Sequence, residues 1–214
     1  MSLLLSALVL FVVVTIVWLV VSRRQSLPCP VWLRWCVELD NPFAKNNRAA
    51  VIIDHLGLQP GMTVLDFGCG PGRLTVPAAQ RVGPAGRVMA ADLQAGMLAR
   101  AKAKALAANL SNIEFVQAGA GEGKLGRGRF DRALLVTVLG EIPDRPGALK
   151  EIFDALKPGG LLSVTETLFD PHYQSRQTVT RLASEVGFRE RGYFGNRLAF
   201  SVHLEKPAGG LQAN

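Results

Sequence analysis

"VLDFGCGPGR", Val64 to Arg73, joins an apolar run ending in Asp66 to glycines at positions 68, 70 and 72. A short apolar run bounded by glycine reads as a buried strand, with a loop at its carboxyl end. Glycines there permit positive φ and let a ligand come close to the backbone. The helix that follows offers unpaired N–H groups to an anionic end of that ligand. Dinucleotide sites use a related loop spaced GxGxxG. Here the spacing is GxGxG, and Arg73 stands where the dinucleotide loop has its third glycine. Asp66 also suits a cationic ammonium better than a pyrophosphate.

Outward from this loop, strands and helices alternate. The predicted helix in "RAAVIIDHLGL" closes at Gly57, and strands are expected at Thr63–Phe67, Arg87–Ala91, Asn112–Val116, Phe130–Val136 and Leu161–Glu166. Helices are expected at Gly72–Val82, Gln94–Ala108, Arg145–Leu156 and Gln174–Val186, with "KPGG" as a turn before the fifth strand. Two last strands flank Gly195 and Asn196, a hairpin signal. The expected fold is α/β: a Rossmann-like, doubly wound, mostly parallel seven-stranded sheet with a C-terminal antiparallel hairpin. The expected division is an anchor over 1–22, an interfacial segment or lid over 23–45, the α/β domain over 46–206 and a disordered tail over 207–214.

The second strand ends in "VMAAD", which places Asp92 about 20 residues beyond the loop, where an acid accepts hydrogen bonds from ribose hydroxyls. An ammonium near Asp66, a bare glycine backbone and a ribose at Asp92 fit S-adenosylmethionine better than a nicotinamide dinucleotide. The chain here resembles the class I S-adenosylmethionine-dependent methyltransferases, and within them the branch of ubiquinone/menaquinone-biosynthesis and small-molecule methyltransferases. The resemblance covers about Asn41 to Lys206 and is carried by "GMTVLDFGCGPG", "VMAADLQAGMLARA", "FDRALLVTVLGEIPD" and "LKEIFDALKPGGLLSVTE". It implies that Asp66, Gly68, Gly70 and Gly72 frame the methionine moiety, that Asp92 holds the ribose, and that Leu93 packs on adenine. Relatives usually carry an aspartate near Gly119 for the adenine amino group. Here Glu122 is the nearest acid, and the backbone of Gly119 and Ala120 is the expected substitute. Gly140 stands where relatives often have histidine.

The N-terminal stretch is a different material. Ser2 to Val21 contains no charge and no proline, and Arg23 and Arg24 follow at once. About twenty helical residues at ~1.5 Å each span the ~30 Å hydrocarbon core of a bilayer. The basic flank places the C-terminal side in the cytoplasm. A cleaved signal peptide is the rival, but it wants a basic start and a shorter apolar core. Trp18, Trp32 and Trp35 all lie in the first 36 residues. Pro28 to Leu39 therefore reads either as an amphipathic helix at the membrane interface or as a helix packed on the domain.

Net charge is +7, with the basic residues scattered, so no nucleic-acid-binding arm is expected. The odd cysteine count, Cys29, Cys36 and Cys69, argues for free thiols, and no metal site is expected. The acceptor side of such a fold lies above the fourth and fifth strands. This nominates Glu141, Glu166, His172 and Tyr173 as candidate catalytic residues. Each has a plainer reading: Glu141 as a cap or ion-pair partner, His172 and Tyr173 as the start of a helix after a turn. His55 and His203 read as packing and strand residues. The expectation is a membrane-anchored, cytoplasm-facing methyltransferase for a lipid, a prenylated ring or another lipophilic small molecule. A membrane-permeant thiol as acceptor, and a membrane assembly or regulatory protein that binds S-adenosylmethionine without transferring it, are the alternatives.

Overall fold

The computed structural model describes residues 3–25, 29–30, 38, 44–168 and 170–209. The expected interfacial helix over Pro28–Leu39 and the last part of the expected tail lie outside the described residues, apart from positions 29, 30 and 38.

Seven strands form one sheet in the order β3-β2-β1-β4-β5-β7-β6. They are β1 (Thr63–Phe67), β2 (Arg87–Asp92), β3 (Ile113–Gln117), β4 (Phe130–Val136), β5 (Leu156–Thr167), β6 (Arg189–Gly195) and β7 (Ala199–Glu205). The first five are mutually parallel, and β7 runs antiparallel to both β5 and β6. The order reverses between β1 and β4, which opens a crevice at their carboxyl ends. The described helices are α1 (Leu3–Gln25), α2 (Ala49–Leu56), α3 (Thr75–Val82), α4 (Ala95–Ala107), α5 (Arg145–Ala155) and α6 (Arg176–Val186).

Strand alternation sorts the core into two layers. Val64, Val88 and Leu134 pack with Ile52, Ile53 and Leu56 of α2 and with Ala78, Ala79 and Val82 of α3. Ala90 lies on that same face and packs with Leu98 of α4. Leu65, Met89, Ala133, Leu135 and Val164 point the other way, onto Leu149 and Ile152 of α5 and Val179 and Leu182 of α6.

Two elements depart from expectation, each for a local reason. The helix expected from Gly72 begins at Thr75, because Gly70 and Gly72 hold φ of 53° and 83°, outside the right-handed helix. The "KPGG" segment, expected as a turn, lies within β5. The Gly159 N–H donates to the Lys206 carbonyl at 2.8 Å and the Lys206 N–H to the Gly160 carbonyl at 2.9 Å, which draws the segment into the sheet beside the end of β7.

Helix α1 contains 18 residues, Leu5–Ser22, long and apolar enough by length and composition to cross a membrane. Val9, Leu10, Val13, Ile16, Val17 and Val20 are exposed along it. Its last residue of that run, Ser22, is fully buried against the domain.

Candidate active site

The loop after β1 is held from below by a single carbonyl. Gly68 and Cys69 both donate their N–H groups to the Ala91 oxygen, at 2.8 and 3.0 Å. Gly68 has φ of 72°, and a Cβ there would lie 2.7 Å from a methyl of Val138. Gly72, with φ of 83°, would set a Cβ 3.0 Å from the Ala101 backbone on α4. A side chain at either position is excluded both by conformation and by space.

Asp92 closes this cradle from the neighbouring strand. Its Oδ2 accepts the Gly70 N–H and its Oδ1 the Gln94 N–H, each at 2.8 Å. The carboxylate thus ties the glycine loop to the start of α4. Burial pushes its pKa up, and the two N–H donors oppose that shift. Asp66 lies deeper, and its Oδ2 accepts the Thr75 hydroxyl at 2.6 Å. Burial raises it to about 6, against the Thr75 hydrogen bond, with the Asp92 charge adding to the rise. Leu93 is half-exposed beside these groups, an apolar surface at the crevice.

At Gly119 the missing side chain is replaced by a neighbour. A Cβ there would lie 2.9 Å from Glu122 Oε1 and 3.4 Å from Leu93 Cδ1. Glu122 is held ionised by its hydrogen bond to Lys124 and by the Gly119 N–H. The carboxylate of residue 122 therefore reaches back over Gly119, which leaves the backbone there less bare than the sequence suggests.

The four nominated acceptor-side residues come together. Glu141 sits in the turn after β4, Glu166 at the end of β5, and His172 and Tyr173 in the loop before α6. His172 Nδ1 lies 3.8 Å from Glu141 Oε1. Glu166 Oε2 accepts the Gln174 N–H at 3.1 Å, while Oε1 is buried with no hydrogen-bond partner among the described residues. Burial pushes both Glu141 and Glu166 up to about 8, and the Asp170 charge adds to each shift. The Tyr173 ring packs edge-on against Phe200 at 6.1 Å, and burial with the Glu166 charge pushes its phenol up.

Gly140 has a specific cause. A Cβ there would overlap the His172 carbonyl, whose carbon lies 2.7 Å away. The His172 turn occupies the space that a larger residue at position 140 would need.

Sequence reasoning misses four contributors. Asp170 accepts the His172 N–H at 2.7 Å and lies 3.7 Å from its Nδ1, and the dipeptide "DP" carries the only signal for it. Ser22 accepts from His172 Nε2 at 2.8 Å through its carbonyl oxygen, a contact across 150 residues that no local pattern reveals. The Cys29 N–H donates to Glu141 Oε1 at 3.3 Å, and Gln94 Nε2 donates to the Cys29 oxygen at 2.8 Å. The segment after α1 thus bridges the acceptor end and the Asp92 end of the crevice. Further along, Arg73 donates to Asn47 O at 2.6 Å, which ties the same N-terminal region to the end of the glycine loop.

The remaining nominees stay structural. His55 stacks on Phe194 at 4.3 Å, and Phe194 lies 4.7 Å from His203. The Cys69 thiol is buried and pushed up beyond its ordinary range. Among the described residues, no three His, Cys, Asp or Glu side chains are arranged to hold a metal ion.

Residues 64–160 match the family model described as methyltransferase domain. The demethylmenaquinone methyltransferase of Lactococcus lactis is 38% identical over 118 residues, covering 55% of this chain and 47% of that protein. The ubiquinone/menaquinone biosynthesis C-methyltransferase of Vibrio vulnificus is 37% identical over 123 residues, covering 56% and 47%. The chain therefore spans about half the length of these relatives. A methyltransferase structure from Aquifex aeolicus superposes with a TM-score of 0.75 at 21% identity, over 84% of this chain and all of that one, which shows a shared fold. The glycine cradle, the buried carboxylate that closes it and the apolar Leu93 beside it lie within the segment that is similar to these methyltransferases, and they fit S-adenosylmethionine as the cofactor.

Proposed function

We propose that this protein transfers a methyl group from S-adenosylmethionine to a lipophilic acceptor of the quinol type at a membrane surface. One observation carries the reading: Ser22, the last residue of the apolar span Leu5–Ser22, is buried against His172 at the acceptor end of the crevice. A span that ends there sets the acceptor end at headgroup depth, and an acceptor dissolved in the bilayer has a short path to it. The names of the relatives from Lactococcus lactis and Vibrio vulnificus support a quinone-type acceptor. In this reading residues 1–22 anchor the chain, with the domain over 46–206 on the cytoplasmic side.

The bound cofactor supplies an electrophilic methyl on a sulfonium. The chain supplies proximity and orientation. Asp66, Gly68, Gly70 and Gly72 frame the amino-acid end. Asp92 would accept from the ribose hydroxyls, Leu93 would offer an apolar surface to the base, and the Gly119 and Ala120 backbone would stand in for the missing aspartate. Glu141, Glu166, His172 and Tyr173 line the acceptor end. The protonated carboxyls that burial favours there hydrogen-bond a ring hydroxyl without placing a net charge in a dry site.

The test is incubation of the full chain, in lipid nanodiscs, with methyl-labelled cofactor and a short-chain reduced demethylmenaquinone. Label in the organic phase as a ring-methylated product is expected. Calorimetric binding of the cofactor with no label transferred to this acceptor or to a membrane-lipid extract overturns the enzymatic reading in favour of a binding protein.

A further inference from the structure

We propose that the Ser22 carbonyl is a positioning group of the acceptor site: it fixes His172 as the Nε2–H tautomer and leaves the Nδ1 lone pair facing Glu141 and Asp170, where it receives the proton that the acceptor loses. This rests on the methyl-transfer reading above and adds the end of α1 to its machinery.

The tautomer follows from hydrogen-bond chemistry. A carbonyl oxygen has lone pairs and no proton, so the 2.8 Å contact between His172 Nε2 and Ser22 O requires the hydrogen on Nε2. A neutral imidazole has one N–H, so Nδ1 is the acceptor. Nδ1 is buried and has no hydrogen-bond partner among the described residues. Among the described residues, the charged or titratable groups that face it are Glu141 Oε1 at 3.8 Å and Asp170 Oδ1 at 3.7 Å. These distances exceed a hydrogen bond, so proton transfer requires a carboxyl to move toward Nδ1.

The ring is pinned from several sides. Asp170 Oδ1 accepts the His172 backbone N–H at 2.7 Å. Gln174 Nε2 donates to the His172 carbonyl at 2.8 Å. Gly140 leaves room for that carbonyl. Ser22 is fully buried, so water does not compete for its oxygen. Glu141 Oε1 also accepts the Cys29 N–H, which holds it between the segment after α1 and the imidazole.

The proton path balances. An acceptor O–H gives its proton to the Glu141 carboxyl as that carboxyl passes one to His172 Nδ1. The resulting acceptor anion attacks the methyl carbon through a ring carbon, the S–CH3 bond breaks, and the sulfonium becomes a neutral thioether; the proton of that carbon's C–H bond then moves to the ring oxygen, which restores the hydroxyl and the aromatic ring. The positive charge has moved from sulfur to the imidazolium, whose Nε2–H stays on the Ser22 carbonyl. No oxidant or further reactant is needed.

The experiment uses the full chain in nanodiscs with ¹⁵N-labelled histidine. The chain has three histidines, and His172→Gln assigns the His172 resonances by their loss. The Nε2–H pattern is expected for His172 in the native chain and in Ser22→Ala, which keeps the carbonyl. Ser22→Leu overfills the buried position and displaces it. A mixed tautomer pattern is then expected, with kcat on a short-chain reduced demethylmenaquinone down at least ~10-fold, since a positioned proton-transfer group contributes on the order of 10²–10⁴. KM and cofactor affinity should hold. An Nδ1–H pattern in the native chain overturns the proposal, whether or not Ser22→Leu folds. So does an unchanged pattern with unchanged kcat in a folded Ser22→Leu. A native chain that binds cofactor but transfers no methyl overturns the proposed function instead, and the tautomer is read independently of that result.

Discussion

The backbone of His172 fills the space above Gly140, so that a Cβ on residue 140 would overlap the His172 carbonyl oxygen. The acceptor-side loop is therefore built on the absence of a side chain in the turn after β4. Gly140→Ala should push the 170–174 turn outward and separate His172 from both Glu141 and Ser22. Overpacking at a buried site costs about 1–3 kcal/mol. A lowered denaturation midpoint and a large loss of turnover are expected, with cofactor affinity retained because the glycine cradle lies elsewhere. Calorimetry paired with a methyl-transfer assay reads both, and full turnover in Gly140→Ala would refute the packing argument.

The cofactor end hinges on Asp92, which accepts from the Gly70 and Gln94 N–H groups at once. Asp92→Ala removes the proposed ribose acceptor and leaves the Gly70 and Gln94 N–H groups without their carboxylate partner. Hydrogen bonds to a charged group are worth about 1.5–3 kcal/mol, so binding should weaken by at least ~10-fold. Asp92→Asn keeps one oxygen and should fall between. Equal affinity for the native chain and Asp92→Ala would remove Asp92 from the site.

These two sites were unequally legible in the sequence. The cofactor end is local: β1, the loop and β2 lie within thirty residues, and residue type at each position follows from the strand–turn–helix geometry. Even there, Gly119 reads as a gap, whereas Glu122 lies 2.9 Å from where its Cβ would stand. The acceptor end is assembled from four separated stretches. Glu141, Glu166 and His172 are visible as polar residues at strand ends. Their partners Ser22 and Cys29 are not, because backbone groups carry no sequence signature and the contacts cross more than a hundred residues. The strand boundary at β5 escaped for a similar reason: Lys206, far along the chain, draws "KPGG" into the sheet.

Stability should fall on the alkaline side. Burial raises Glu141 and Glu166 from 4.5 to about 8. A group raised on folding binds more protons in the folded state, so its contribution is full below 4.5 and is lost as pH climbs through about 8. Denaturant midpoints measured from pH ~5 to ~9 should decline, and Glu166→Gln should flatten the decline. His203 acts in the opposite sense: burial lowers it from 6.5 to about 4, so its contribution is present above 6.5 and is lost as pH falls toward 4. A His203→Asn chain should lose less stability than the native chain across that acidic window. An alkaline limb as steep in Glu166→Gln as in the native chain would refute the assignment to Glu166.

Tethering and active-site positioning separate at Ser22. Trimming residues 1–19 removes most of the apolar span Leu5–Ser22 but leaves the Ser22 carbonyl available to His172. The α/β core that holds the cofactor starts near Ala49 and does not draw on the removed residues for its buried layers. Cofactor affinity should therefore be unchanged. Turnover of a water-soluble hydroquinone should also persist, since the proton-handling cluster is intact. Turnover of a long-chain acceptor embedded in vesicles should fall by at least ~10-fold, because confinement to the bilayer raises the effective concentration of enzyme and acceptor, and trimming abolishes it. The comparison is a ratio of rates on the two acceptors for trimmed and full chains. Equal loss on both would mean that α1 supports the fold itself, and no loss on either would mean that acceptor delivery does not depend on the span.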